Sequence, residues 1–473
     1  MCLFNSYSFY LFLIYKQAAI AFFMKGDNMN HEYNEMANKP IFPLLMKMAI
    51  PPMISMLIQS MYNIIDSIFV AKLGEQALTA LSLAFPLQNL SLAFSVGLGV
   101  AINALIAQNL GANDKDKANY ISNHGIFLSI VHSILFIIIG IFLMKPFFLM
   151  FTNDAKVLNY AITYGTIVIT FTFGSIIHIT IEKMFQATGN MMIPMFLQAI
   201  GAITNIILDP ILIFGINGYL KLGVAGAAIA TIIGQMTACI LAIFLFRKKS
   251  TLKISLKNFK PNPQIIKNIY SIAIPSGVMT ALPSILVALL NSLLATISQS
   301  AIAFFGIYFK LQSFIYMPAN GLIQGMRPLI SYNFGAKHFK RVIDIIKVSI
   351  AVILIILCSG SILFLVFPNF ILSWFNASNS LLEIGIIGLR ILAPCFIIST
   401  LGIVISGVFE SLGNGKYSLL ISLLRQFIIT LPLSYILLSF IGINGIWIAF
   451  VVSESIASII AYILLKKQIC KFK

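Results

Sequence analysis

The chain has 473 residues; 59% of them are hydrophobic, only 10% are charged, and the mean hydropathy is +0.97. Because an average soluble domain carries about 25% charged residues, this composition excludes a soluble enzyme and indicates a protein solvated by lipid. The net charge of +17 fits either a nucleic-acid-binding protein or basic loops on the cytoplasmic side of a membrane, and the positions of the charges decide between the two.

The first element in chain order, residues 1–39, is predicted to be an N-terminal extension. Its apolar stretch from Leu11 to Met24 is broken by Lys16, and it has neither the basic start nor the cleavage site of a signal peptide. Met24 or Met29 would serve equally well as the first residue. The extension is interpreted either as dispensable, with a misassigned start, or as a segment that lies in the membrane interface.

Twelve apolar runs follow, each long enough to cross a bilayer as a helix. The predicted helices occupy approximately residues 44–70, 81–108, 121–144, 157–181, 192–214, 223–246, 269–297, 301–332, 343–367, 382–409, 417–440 and 444–465. The chain is thus predicted to be an all-α polytopic membrane protein. A basic cytoplasmic linker, 247–268, joins an N-terminal six-helix bundle, 40–246, to a C-terminal six-helix bundle and tail, 269–473.

The basic residues are distributed unequally over this topology. Of the 31 Lys and Arg residues, 23 lie in the N-terminal region, the even-numbered connections or the C-terminal tail, four lie on the opposite face and four inside the helices. This asymmetry is typical of the positive-inside rule. It predicts that both termini and the linker are cytoplasmic, and it removes the support for a nucleic-acid partner.

The two predicted bundles are related by an internal repeat. At an offset of 224 residues, Ala49–Pro51 matches Ala273–Pro275, and the Asn-x-Gly-Ala sequence of 109–112 matches that of 333–336. Because six helices return the chain to the same side, the halves are parallel repeats related by an axis along the membrane normal. Two such bundles suit alternating access to a site between them.

Two acidic residues lie well inside predicted helices, where an ionisable side chain is costly and indicates a function. Asp66 is in the first helix, and Asp209 is in the fifth, one turn after Asn205. At the repeat offset, Leu290 and Leu433 take the places of these acids. The charge-handling site is therefore predicted in the N-terminal bundle alone, although each Asp could instead be a structural hydrogen-bond partner for a neighbouring helix.

Pro210 directly follows Asp209. Its ring cannot donate an amide hydrogen and leaves a carbonyl free, so a kink is expected there. This placement predicts a helix bend that opens when the acid is protonated.

A set of motifs, in order and repeated, resembles the multidrug and toxic compound extrusion (MATE) family. They are the Ala-x-Pro openings of helices one and seven, the NxxDS step from Asn63, the QNLGA and YNFGA helix ends, the QATGN and ESLGN turns, and NIILDP from Asn205. The stretches GMRPLISYNFGAK and LISLLRQ look most like the MepA-like bacterial branch. The resemblance covers nearly the whole chain from about Pro40.

The resemblance implies a secondary active transporter in the plasma membrane of a bacterium, which exports lipophilic cations by antiport against H⁺ or Na⁺ and needs no other cofactor. It implies a coupling-cation site at Asp66, Asn205, Asp209 and Thr231. Some Na⁺-coupled members carry acids in helices seven and ten, whereas this chain has only Glu383, at the start of helix ten. A second site in the C-terminal half is therefore not expected, and protons are favoured over Na⁺.

Exporters of lipophilic cations need an aromatic and methionine-rich cavity. The candidate cavity residues on the inner helices are Met53, Tyr62, Met279, Tyr308 and Arg327. Arg327 could bind an anionic group, but a structural ion pair is the favoured interpretation.

The remaining charged residues and the histidines of the helices are assigned structural roles. Glu182 and Glu410 are predicted to face water near cytoplasmic helix ends, and Arg425 and Glu454 to pair between helices. Lys310 and Arg390 are predicted to reach the membrane surface with their charged ends or to form ion pairs. The histidines are predicted to be packing residues rather than proton relays, namely His124, His132 and His178.

Two other classes of function receive less support from the sequence. A flippase for lipid-linked saccharides would share these helices but need a more basic cavity, for which only Arg327 and Lys310 speak. An intramembrane enzyme is not expected, since the chain contains no HExxH, GxSxG, DDxxD or Walker motif. The five scattered cysteines indicate neither a disulfide framework nor a metal site. A monomer in contact with membrane lipid is expected.

Overall fold

The computed structural model describes residues 35–215, 221–255, 257, 259–375 and 379–472. The predicted N-terminal extension lies outside these residues except for its last five positions. The membrane-length helices of the first half are α1 (Ile41–Ala71), α2 (Glu75–Gly111), α3 (Lys115–Phe142), α4 (Ala155–Thr170 with Phe173–Ala187), α5 (Met192–Phe214) and α6 (Val224–Lys249). Those of the second half are α7 (Pro263–Ala295), α8 (Gln299–Gly335), α9 (Phe339–Val366), α10 (Asn379–Ser411), α11 (Gly415–Ile441) and α12 (Ile443–Cys470).

These helices confirm the predicted all-α membrane fold. Eleven of the described helices are long and apolar enough to cross a membrane, and the bent pair of α4 makes a twelfth. Short helices precede α4 and α10, at Met144–Leu149 and Pro368–Ser373. Their first residues are 224 positions apart, so the repeat seen in the sequence extends to the connections.

Helix α4 was predicted as one helix but is broken. Its two parts meet at an angle of 41° around Phe171 and Thr172. The Thr172 hydroxyl lies 3.0 Å from the Ser91 hydroxyl of α2, and both residues are buried. This polar contact fixes the break against α2, and apolar periodicity could not reveal it because both parts are equally apolar.

Helix α11 is also irregular. It contains a π-helical turn at Leu424–Ile428, before the α-helix resumes at Thr430. Pro432 follows, and it lacks the amide that a regular helix would use at that position. The Thr430 hydroxyl donates to the carbonyl oxygen of Arg425, which satisfies part of the interrupted backbone.

Several helices extend beyond their predicted ends. The α3, α7 and α8 helices begin earlier than predicted, because Asp114, Asn262 and Ser298 accept hydrogen bonds from the first free backbone amides. The α6 and α12 helices continue through basic residues at their C-terminal ends, which the helix dipole favours. The connection between the halves, predicted at 247–268, is thus confined to the residues between Lys249 and Pro263.

The two halves meet along α1 with α8 and α2 with α7. Several glycines of Gly97–Gly111 on α2 and of Gly321–Gly335 on α8 lie against the backbone of the other half, and we call this region the closed end. A Cβ atom on Gly111 would collide with the carbonyl oxygen of Tyr332, and one on Gly335 with that of Gln108. Only glycine permits α2 and α8 to approach each other this closely on both sides. These two glycines therefore determine how closely the two halves approach at the closed end.

The cores of the halves differ. The second half has one continuous apolar core, with Phe304, Phe305, Tyr308 and Trp447 at its centre. The first half has two cores. One lies around Leu98–Leu110 near the closed end, and the other contains Val70 and Tyr164 at the opposite end. A layer of polar side chains from α1, α5 and α6 lies between them.

Candidate functional site: a paired carboxylate in the N-terminal bundle

The polar layer of the first half begins on α5. Asn205 and Asp209 are one helical turn apart and therefore share a face, and both are buried, Asp209 completely. The Asn205 side-chain amide donates to Asp209 Oδ1 and to Thr231 Oγ1 of α6, each over 3.3 Å. The structure thus brings together three of the four predicted coupling residues.

The fourth residue, Asp66, reaches the same layer from α1. Its carboxyl group lies within the electrostatic range of the Asp209 carboxyl group. One turn earlier on α1, Tyr62 lies near the Thr231 side chain and within the electrostatic range of both acids. The contact between α1 and α5 therefore places two acids side by side, although they are far apart in the chain.

Three oxygens of this layer are buried and find no hydrogen-bond donor among the residues that the structure describes. They are Asp66 Oδ1, Asp209 Oδ2 and Asn205 Oδ1. Two adjacent carboxylates cannot both remain ionised in an apolar core, so the pair needs either a shared proton or a bound cation. Carboxylate and amide oxygens with a nearby hydroxyl can bind either the proton or the cation, because they accept a proton and also suit a hard cation.

Sequence reasoning missed two residues at this layer. Tyr164 of α4 is buried within the electrostatic range of Asp66 and Asp209, and Gln88 of α2 donates to its hydroxyl over 3.3 Å. A tyrosine in an apolar run looks like a packing residue. The only signal was the repeat match of Gln88 with Gln312.

Pro210 lies inside α5, and the helix continues beyond it to Phe214. It removes the amide that would otherwise bond to the carbonyl of Ile206, directly beside Asp209. The structure therefore places the weak point of the helix next to the buried acid, and the predicted bending on protonation stays a prediction.

The candidate cavity residues are not brought together. Tyr308 is sealed in the core of the second half among Phe364 and Phe450, and Tyr62 belongs to the acid layer. The two methionines lie half-buried on different helices. Met53 packs against Gly321 of α8, and the Met279 sulfur accepts from Ser406 over 3.7 Å.

Arg327 forms the structural ion pair that was favoured for it. Its partner is Glu410 of α10, which also accepts a hydrogen bond of 2.7 Å from Ser276 of α7. The prediction that Glu182 and Glu410 face water was wrong, since both are buried. Position near a helix end was misleading, because those ends pack into the closed end rather than reaching water.

The second predicted ion pair is confirmed. Arg425 of α11 donates to both carboxylate oxygens of Glu454 on α12, over 2.8 and 2.7 Å. Lys310 and Arg390 are exposed. The π-helical turn of α11 carries Arg425, so the irregular backbone and the buried charge occur together.

The histidines have structural surroundings. His124 contacts the carbonyl oxygen of Tyr120 and accepts from the backbone amide of Asn262, both over 2.8 Å, and so fastens the linker to α3. His132 contacts the Tyr270 hydroxyl over 2.9 Å. His178 is buried, and within the described part of the chain its Nε2 has no hydrogen-bond partner.

Comparison with known proteins places the chain in a family. The MatE family model matches twice, over residues 51–211 and 275–436, and the two matches begin 224 residues apart, as the internal repeat requires. Among curated relatives, "Multidrug export protein MepA" of Staphylococcus haemolyticus is 29% identical over 425 residues, covering 89% of this chain and 92% of that protein. The protein of the same name from Staphylococcus aureus NCTC 8325 is 27% identical over 429 residues, covering 90% and 93%.

Solved structures agree with this placement. One is described as "Outward-facing conformation of a multidrug resistance MATE family transporter of the MOP superfamily"; it is 25% identical, has a TM-score of 0.83, and covers 91% of this chain and 96% of its own. A transporter of the MOP superfamily from Pyrococcus furiosus shares the fold at a TM-score of 0.86 with 23% identity, covering 93% and 98%. With the repeat, the twelve spans and the family match in agreement, the chain belongs to the MatE family, the multidrug and toxic compound extrusion family that its motifs resemble.

Proposed function

We propose that this protein is a secondary active multidrug exporter that exchanges lipophilic cations for protons. The observation that carries the proposal is the polar layer that holds Asp66, Asn205, Asp209 and Thr231, in which three buried oxygens have no donor among the described residues. The names of the MepA relatives support export of several drugs.

The coupling follows from one charge serving two ligands. When the acid pair loses its shared proton, both carboxylates are negative and attract a cationic substrate through the apolar surroundings. When the proton returns, the pair keeps only one negative charge, so the attraction weakens and the substrate is released. Protonation also removes the repulsion between the two carboxylates, so the α1–α5 contact, with Pro210 beside it, rearranges.

Protons are favoured over Na⁺ as the coupling ion. Two carboxyl groups side by side can share one proton without further ligands. A sodium ion would need several oxygens around it, and the layer offers the acid pair, Asn205 Oδ1 and the Thr231 hydroxyl. Sodium therefore stays the alternative ion at the same residues, and the experiment below separates the two.

The proposed orientation places the closed end, the linker and both chain ends in the cytoplasm. It rests on the basic residues, which gather at this end. In that orientation the structure is closed toward the cytoplasm. A flippase for lipid-linked saccharides receives less support, because Arg327, a main feature that pointed to it, is neutralised by Glu410.

The decisive experiment uses the purified protein in liposomes, with a pH gradient or a Na⁺ gradient imposed separately and an ethidium-like dye as the substrate. We expect a pH gradient alone to drive dye movement. Asp209→Asn or Asp66→Asn should lower the gradient-driven rate at least about 100-fold, because a single carboxyl group cannot hold the shared proton on which the proposed coupling depends.

The matched control is Glu383→Gln, which makes the same carboxylate-to-amide change at an exposed position of α10. It should keep the wild-type rate. Full pH-driven transport by Asp209→Asn would refute the proposed coupling site. Transport driven only by a Na⁺ gradient would show that Na⁺, not the proton, is the coupling ion. Flipping of labelled lipid without dye movement would favour the flippase.

A further inference from the structure

Four charged side chains lie where the two halves meet, three of them buried and the fourth, Arg327, half-buried. Glu182 and Lys183 belong to α4, Arg327 to α8 and Glu410 to α10, and each half holds one acid–base pair. At the repeat offset the first pair falls on Ser406 and Gly407, and the second on Asn103 and Gln186. Neither pair therefore has a counterpart in the other half.

The ammonium group of Lys183 has three hydrogen-bond acceptors. They are Gln186 Oε1 at 3.0 Å, Glu182 Oε1 at 3.4 Å and Gln324 Oε1 at 2.9 Å. The first two lie on α4 itself, whereas Gln324 lies on α8 in the other half. One bond of this buried cation therefore crosses from one half of the protein to the other.

The path of the Lys183 side chain is determined by α2. Its stem crosses α2 at Gly99, where a Cβ atom would lie only 2.6 Å from Lys183 Cγ. The Asn103 amide donates to the carbonyl oxygen of Lys183 over 3.1 Å. On the far side, the Gln324 amide contacts the Met56 sulfur over 3.6 Å. Both ends of the bond are thus held in position.

These contacts argue against a ligand at Lys183, because all three of its donors already have acceptors. They argue instead for a mechanical role. A bond from a charged donor is about twice as strong as a neutral one, and separating the halves here would strip Lys183 of its partner before water could replace it. The Gly111–Tyr332 and Gly335–Gln108 contacts nearer the helix ends must separate in the same movement.

We propose that Lys183 is a positioning residue that holds the closed end shut through its bond to Gln324. Opening of this end breaks that bond while the bonds to Gln186 and Glu182 persist, so the cation stays neutralised by its own half. This role goes beyond the proposed function and does not depend on which ion drives transport, since neither Asp66 nor Asp209 takes part in it.

The test measures the distance between the halves at the closed end. Spin labels are attached to cysteines replacing Lys117 of α3 and Lys340 of α9, both exposed, after the native cysteines are removed. We expect Lys183→Met to raise the ratio of open to closed populations about tenfold, because the closed state loses one buried charge-assisted hydrogen bond. Lys183→Arg keeps the charge and the donors and should restore the wild-type distance distribution.

The matched control is Lys310→Met, which makes the same change at an exposed lysine of α8 and should leave the distances unchanged. Gln324→Leu removes the acceptor instead, and it also serves if Lys183→Met does not fold. It should shift the populations as Lys183→Met does, and the double variant should show no further shift. An unchanged distribution in both single variants, or fully additive effects, would overturn the proposal.

Discussion

Arg425 and Glu454 form the best-aligned ion pair of the described residues, with two short hydrogen bonds between two nearly buried side chains. The Tyr316 hydroxyl, which contacts Ser399 over 2.8 Å, lies within the electrostatic range of this pair. The cost of removing two charges from water is offset only while both partners are present. The pair therefore ties α11 to α12 in a way that depends on each member.

We predict that Glu454→Gln lowers the stability of the protein by about 3–5 kcal/mol, because it leaves the Arg425 charge buried and uncompensated. The measurement is the thermal unfolding of the purified protein in detergent. The double variant Arg425→Met with Glu454→Leu should recover most of the loss, since it removes both charges. A double variant less stable than Glu454→Gln would contradict this account.

At the residue scale, the sequence singled out the two acids proposed for coupling but not that they would lie side by side. Asp66 and Asp209 stand out because charge is scarce in these helices, and the repeat showed that their counterparts are leucines. That the carboxyl groups lie side by side depends on how α1 packs on α5, which apolar periodicity does not encode. Tyr164 was missed for a related reason, since an uncharged residue inside an apolar run carries no signal of its own.

At the scale of the helix, the most constrained feature is the crossing of α2 and α8. Gly111 and Gly335 lie at the last residues of these helices, and each faces a backbone carbonyl of the other helix. Backbone atoms cannot move aside as a flexible side chain can. The crossing therefore tolerates no Cβ atom while the closed end stays shut.

We predict that Gly111→Ala and Gly335→Ala shift the spin-label distances at the closed end toward the open state. The added methyl group collides only in the closed arrangement, so the open arrangement becomes relatively more stable. Gly306→Ala is the matched control on α8, because a Cβ atom there meets nothing within 4 Å. Distances that respond equally to all three substitutions would show that the crossing does not determine closure.

The helices were predictable in number and order but not in their irregularities. Apolar length locates the part of a helix inside lipid, whereas Asp114 and Asn262 extend α3 and α7 into water by capping their first amides. The break in α4 and the π-helical turn in α11 depend on partners in other helices, namely Ser91 for the first and Glu454 for the second. Single-helix patterns contain no record of such partners.

For the whole molecule, the asymmetry between the halves matters more than their common fold. The second half packs around one continuous apolar core, whereas the acid layer divides the core of the first half in two. A core that is interrupted by titratable groups can rearrange when one of them gains a proton, and a continuous core resists this. The first half is thus suited to respond to the ion, and the second to act as the rigid counterpart.

The orientation of the whole chain gives the last prediction. Cys470 is exposed at the end of α12, on the side of the closed end, and Lys156 is exposed at the start of α4 on the opposite side. In a variant without other cysteines, a membrane-impermeant maleimide added to intact cells should label a cysteine replacing Lys156 and leave Cys470 unlabelled. The reason is that basic residues are retained on the cytoplasmic side during insertion.

Permeabilised cells provide the control, since both positions should then react equally. Labelling of Cys470 in intact cells would show that the orientation is the opposite of the proposed one, with the closed end outside the cell. The acid pair would then be accessible from the cytoplasm in this conformation. The sides of the membrane from which the proton and the drug bind would be reversed in the proposed cycle. The labelling result therefore decides which half of the transport cycle this conformation represents, independently of whether the acids carry a proton or a sodium ion.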